Sequence, residues 1–207
     1  MRLKRWVNEL VDLGALQSGA YRLDLAPVKV AAFVAACLEA EKPLAERVGV
    51  ALEGGLAVAA PPILHTDEER LRRLTMILLD RAVVASRSGC VSLVARSGEP
   101  TSGEDEKMCA GECLELVFGD FGRASPPASG LPGGSARPGR SGSKRGNRAG
   151  LSLALAARLS AALGGRLVVE ETAGAAPRFV VRLPLGIPVA DRVAEDPAWS
   201  PVFPTGV

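Results

Sequence analysis

Residues Gly164 to Leu185, GGRLVVEETAGAAPRFVVRLPL, decide the fold. Two glycines stop whatever precedes them, because glycine alone moves freely into the left-handed backbone that ends a helix. Leu167-Val168-Val169 and Phe179-Val180-Val181 have the branched and aromatic character of strands. Between them, Gly174 and Pro177 break the run and make a turn. Pro184 ends the second strand, since it has no N–H to give to a ladder. Upstream, Gly150-Leu151-Ser152-Leu153-Ala154-Leu155 opens the helix that the glycines close. Helix, strand, turn and strand in this order predict an antiparallel hairpin with a helix packed on it.

Working toward the N-terminus, the chain repeats that mixture. Arg5 to Gln17 sets Trp6, Leu10, Leu13 and Leu16 on neighbouring faces of a helix, with Val7 and Val11 alongside. Tyr21 to Leu25 alternates as a short strand, and Pro27 is read as starting a helix rich in Ala and Val. Pro43 should kink or restart that helix. Val48 to Leu52 reads as a strand, Gly54-Gly55 and Pro61-Pro62 as punctuation, and Ile63 to His65 as a further strand. Thr66-Asp67-Glu68-Glu69 is a helix start, a capping hydroxyl followed by carboxylates at the positive end of the dipole. Leu71, Leu74, Leu78 and Ala82, widened by Ile77 and Val84, form the apolar stripe of that helix. Cys90 to Ala95 and Cys113 to Phe118 read as an antiparallel pair.

Pro126 to Gly146 is proline, glycine, serine and arginine with almost no large apolar side chain, so burial cannot offset its ordering entropy. The residues after Pro188 read as an unpacked tail. The expected fold is an α+β two-layer sandwich, a mostly antiparallel sheet with helices on one face and a mobile lid-like insertion.

At 207 residues and a net charge of +2, the chain can bury a core but carries no global field for nucleic acid. Aromatic residues are 4% of the total, too few for base-stacking surfaces. The four cysteines form no CxxC pair and join no histidine cluster, which points to a reducing cytoplasm rather than a disulfide or zinc framework. No signal-peptide pattern follows Met1, and no stretch approaches the ~20 apolar residues of a membrane span.

Taken in order, these pieces resemble the ATP-binding catalytic domain of sensor histidine kinases, whose nucleotide fold is shared with DNA gyrase and the mismatch-repair ATPases. Residues 1–19 resemble the end of the kinase dimerisation helix, carried by Val11-Asp12-Leu13-Gly14-Ala15-Leu16-Gln17-Ser18-Gly19. Residues 20–187 resemble the ATPase domain, with 120–149 in the place of its lid and 188–207 as a disordered tail. Leu64-His65-Thr66-Asp67-Glu68-Glu69-Arg70-Leu71 resembles the family's Leu-x-x-Asp-x-x-Arg-Leu entry into its first helix.

The resemblance implies ATP as cofactor and places its site residue by residue. Asp120-Phe121-Gly122 stands where the family has Asp-x-Gly: a carboxylate to accept the adenine amine, and a glycine for close backbone approach. The same pair also suits an ordinary strand-end turn. Cations of the insertion, Lys144 and Arg148 among them, stand where a lid would close over phosphates, although this composition equally describes a solvated insertion. Gly150-Leu151-Ser152-Leu153 stands for the family's Gly-x-Gly-Leu-Gly-Leu, whose helix-start amides hold phosphate; Arg148 replaces its first glycine and Ser152 its last.

The departure is the asparagine box. Its two positions fall on Ile77 and Arg81. Isoleucine has no ligand atom, and arginine is a permanent cation with no acceptor, so neither binds magnesium. Either Arg81 contacts phosphate in place of the metal, or the pocket has decayed. His65, the only histidine, lies at a strand end and reads as structural rather than as a phosphoacceptor.

Two functions follow from the resemblance. One is a pseudokinase or interaction module that docks a response regulator or a histidine kinase partner, forming a homodimer through the Trp6/Leu10/Leu13 face. The other is an active domain that phosphorylates a histidine supplied in trans. An anti-sigma kinase of the same nucleotide fold would need the asparagine box as well and meets the same objection.

Overall fold

The computed structural model describes residues 23–57, 59–98, 112–120, 146–171 and 175–185, with side chains described from Ser152 onward in the fourth segment. The expected N-terminal helix, most of the lid insertion with Gly122 and Lys144, and the tail lie outside the described residues.

Among the described residues, seven strands and three helices follow one another as β1 (Ala26–Lys29), α1 (Val30–Val48), β2 (Ala51–Leu56), β3 (Ile63–Thr66), α2 (Glu68–Ala85), β4 (Cys90–Gly98), β5 (Cys113–Gly119), α3 (Gly146–Ala162), β6 (Arg166–Glu170) and β7 (Arg178–Pro184). Five strands make the main sheet in the order β2-β4-β5-β7-β6, and β1 and β3 form a separate two-stranded ribbon. All pairs are antiparallel except β2 with β4. The α+β sandwich with a mostly antiparallel sheet is therefore present, with its small ribbon set apart.

The core follows from the period of two. Leu93 of β4, Leu116 and Phe118 of β5, and Phe179 and Val181 of β7 fall in paired rows on one face. They are fully or almost fully buried, as are Leu71, Leu74 and Leu78 of α2 and Leu155 and Leu159 of α3. Each such side chain contributes about 1.5–3 kcal/mol of burial, so this layer holds the domain together. Arg72 of α2 lies over the Phe33 ring of α1, 5.7 Å from its centroid, and joins the two helices at their edge.

The closing hairpin forms as expected, and the double glycine divides its work. Gly164, at φ 77°, ends the α3 region in the left-handed conformation, while the Gly165 N–H donates to the Ser160 carbonyl at 2.8 Å. At Gly165 a Cβ would collide with the Arg182 carbonyl oxygen of β7, so only glycine lets the strands approach.

Several local expectations are corrected. Among the described residues the first strand is Ala26–Lys29, and Leu23, Asp24 and Leu25, expected in a strand from Tyr21 to Leu25, lie ahead of it outside any strand. Pro27 lies inside it, tolerated because among the described residues β1 pairs with β3 alone, so its other edge carries no ladder there. Helix α1 runs unbroken through Pro43, which is exposed, so the carbonyl of Glu39 that loses its donor lies at the solvent side. Val48 belongs to that helix, closed by Gly49 at φ 72° with its N–H directed at Ala45 and Glu46. Gly54 and Gly55 lie within β2 instead of breaking it. The cap of α2 is the Asp67 carboxylate, not the Thr66 hydroxyl. Val84 is 73% exposed and Val83 is buried in its place, because 83 rather than 84 continues the face of Leu79. Helix α3 begins at Gly146, so residues 146–149, expected in the insertion, form its first turn.

Candidate functional site

The best-defined polar constellation gathers at the end of β5, where Asp120 leaves the sheet. Phe118 points into the core, Gly119 reverses to the other face, and Asp120 returns toward the helices by the alternation of the strand. Gly119 cannot carry a side chain without meeting the Arg178 stem of β7, its would-be Cβ lying 2.8 Å from Arg178 Cγ. The Asp120 carboxylate meets the turn that links α2 to β4. Its Oδ2 accepts the Ser86 Oγ–H at 3.0 Å and the backbone N–H groups of Arg87 and Ser88, both at 2.7 Å. Its Oδ1 accepts the Ser88 hydroxyl. Ser88 also receives the Cys90 N–H at 3.3 Å, which ties the turn to the start of β4. Two serines that belong to none of the site motifs thus engage the carboxylate that the resemblance assigns to adenine. Their only signal is Ser-x-Ser-Gly at a helix exit, a common turn composition.

The other candidate residues spread along two helices. Ile77 lies in the middle of α2 and is 5% exposed, an aliphatic side chain within the core. Arg81, one turn further, is half-buried. Ser152 is half-buried on α3. Gly150 and Leu151, expected at a helix start, lie one turn inside α3 with Arg148 before them. The amides with no partner inside the helix are those of its first four residues, so a phosphate seated on the α3 N-terminus would meet residues 146–149. Nothing between Gly146 and Gly150 stops a helix, since Asn147, Arg148 and Ala149 are all tolerated in one.

The entry to α2 has its own polar knot. Asp67 Oδ1 accepts the Arg70 N–H at 3.1 Å, and its Oδ2 accepts the Arg70 guanidinium and the backbone N–H of Asp24 at 3.0 Å. The Asp-x-x-Arg pair noted in the sequence therefore caps the helix and anchors the incoming chain ahead of β1. His65 of β3 is exposed and lies opposite Pro27 in the ribbon. Among the described residues no group of three His, Cys, Asp or Glu side chains is arranged to hold a metal ion.

This arrangement of sheet and helices recurs in solved histidine kinases. ShkA, solved full-length in complex with AMPPNP, aligns with a TM-score of 0.65 and 24% identity over 90% of this chain and 36% of its own. The histidine kinase AdeS of Acinetobacter baumannii aligns with a TM-score of 0.64 and 18% identity, covering 89% of this chain and 79% of its own. A histidine kinase from Burkholderia phymatum STM815 gives 0.53 and 22%, covering 88% and 80%.

The chain has the histidine kinase ATP-binding fold.

This chain spans about a third of the length of ShkA. No family model matches the sequence, and no curated protein matches it. Within the histidine kinase fold, Asp120 ends the central strand β5, and α2 carries Ile77 and Arg81. Among the described residues no helix is long and apolar enough to cross a membrane.

Proposed function

We propose that this chain is a histidine-kinase-type ATP-binding domain of a two-component signalling system that has lost the metal end of its site. In this reading it acts as a pseudokinase, an interaction module for a response regulator or an active kinase. The observation that carries the proposal is the burial of Ile77. At the position where the family resemblance calls for a magnesium and phosphate ligand, an aliphatic side chain is 5% exposed and packed in the core. No rotation of it supplies an oxygen. Arg81 at the second position would repel a divalent cation. The donor set therefore does not fit magnesium. Dimerisation through the N-terminal helix and a cytoplasmic location belong to the same proposal.

A second reading is favoured by Asp120 at the end of β5 and by the AMPPNP complex of ShkA. In it the domain binds ATP and presents the γ-phosphate to a histidine in trans. The chain would then bind and orient the nucleotide, with Arg81 or cations of the 120–149 insertion neutralising phosphate charge.

Calorimetric titration of the full chain with ATP and ADP, each with and without magnesium, separates the two. The pseudokinase reading expects no affinity gain from magnesium and no turnover. A gain of about tenfold or more with the metal, roughly 1.4 kcal/mol, would reject it in favour of the active domain.

A further inference from the structure

Among the described residues the main sheet has two margins, β2 and β6. A margin strand offers backbone N–H and C=O groups to any further strand, and charged side chains there usually deter one. The charges of β6 are placed differently. Its five residues, Arg166-Leu167-Val168-Val169-Glu170, carry one cation and one anion equally far from Val168. Laid antiparallel on a second copy of itself about Val168, the strand sets Arg166 opposite Glu170 at both ends. Leu167 then meets Val169 twice, and Val168 meets itself. Opposite charges and branched side chains facing one another are the favourable cross-strand pairs.

Both faces of the sheet agree with that register. On the face away from the leucine core, β4, β5, β7 and β6 align Arg96, Glu115, Arg182 and Arg166 in one row. Two arginines stand side by side at the margin, and the second copy's Glu170 extends the row with a carboxylate. On the other face Val169 is 40% exposed although Phe179, its neighbour on β7, is buried. The second copy's Leu167 would cover it. The β2 margin has no such symmetry, since Glu53 is its only charge.

We propose that β6 is a self-association strand, through which two copies of this chain pair antiparallel about Val168 and join their sheets edge to edge. Five residues a side bury less than a standard interface, so the contact is weak and forms as concentration rises. It is separate from dimerisation through the N-terminal helix.

Sedimentation of the full chain from about 10 μM to about 1 mM tests this, with Arg166→Glu, Glu170→Arg, an equimolar mixture of the two, and Val169→Lys. Either reversal alone sets like charges opposite at both ends of the pair, and self-association should weaken about tenfold or more. In the mixture the two variants are complementary, so association returns between unlike chains. Val169→Lys, at an exposed position, sets a charge against Leu167 and should weaken association as well. Circular dichroism checks that each variant is folded, and if Glu170→Arg is not, Arg166→Glu and Val169→Lys decide. A parent of constant size across the range overturns the proposal. So does association that folded variants leave unchanged, which would run through another face such as the N-terminal helix. Loss in both reversals without rescue in the mixture overturns it too.

Discussion

Glu115 accepts the Nε–H of Arg182 at 2.7 Å across the β5–β7 pair, although the two residues are 67 positions apart. The other oxygen of the same carboxylate accepts from Arg96 of β4, with Nε at 2.7 Å and Nη2 at 2.6 Å. One carboxylate, 5% exposed at its side chain, thus joins three adjacent strands on the face away from the leucine core. The arginines keep 32% and 22% exposure, so water discounts part of the pairing energy.

Glu115→Gln keeps the shape and removes the charge that both arginines share. The expected loss is about 1–3 kcal/mol, below the full cost of stranding a buried charge because the arginines still reach solvent. Urea unfolding at low and high salt checks it: the midpoint should fall at both, since salt screens a buried partner poorly.

Asp67→Ala removes the cap of α2 and the tether to Asp24 together. About 1–2 kcal/mol is expected from the cap alone, with more from the lost tether. Asp67→Asn should recover most of the cap, because the amide oxygen still accepts the Arg70 N–H, and should lose the ion pair. Thermal melts of the two variants separate capping from charge.

How much of this was legible in the chain depends on sequence distance. The β6–β7 hairpin, the β4–β5 pair and the stripe of α2 were readable because period and punctuation are local signals. The last turn of α2 was misread at Val84 because two adjacent valines carry the same composition, and only packing decides which faces in. Pro27 was misread because proline opens helices as readily as it sits in an unpaired edge, and the pairing of β1 with β3 lies outside any local window. At the candidate site, Asp120, Ile77 and Arg81 were singled out by resemblance to the histidine kinase motifs. The clasp from Ser86 and Ser88 could not be, since it joins segments 32 to 34 residues apart and neither serine belongs to a motif.

Substitutions at the double glycine should differ in kind. Gly164→Ala meets the strain of a positive φ, about 1 kcal/mol. Gly165→Ala places a methyl against the backbone of Arg182 and within 2.7 Å of Leu183 Cδ2, so β6 and β7 must separate. Its loss should be clearly the larger in chemical denaturation, and hydrogen exchange should rise in β6 and β7 ahead of the other strands.

Cys37 provides a pH-dependent test. Burial pushes its thiol up from 9.0 to about 11, the Arg72 charge opposing this and Glu68 adding to it. A folded-state pKa above the unfolded value means the stabilising contribution is fully present below pH 9 and is lost as pH rises from 9 toward 11. The loss amounts to about 2–3 kcal/mol over that window. Cys37→Ala should remove this part of the alkaline slope in urea unfolding measured across the window, although the cavity lowers its stability at neutral pH.

The place of β7 has a consequence for synthesis. The strand completed last among the described residues lies between β5 and β6, not at a margin of the sheet. While a ribosome is still making residues 178–184, β5 has a bare edge of Leu114, Leu116 and Phe118 and its backbone, open to any other extended chain. The sheet of a nascent molecule therefore closes only when Pro184 has emerged. Chains released shortly before that point are the ones expected to demand chaperones or to aggregate.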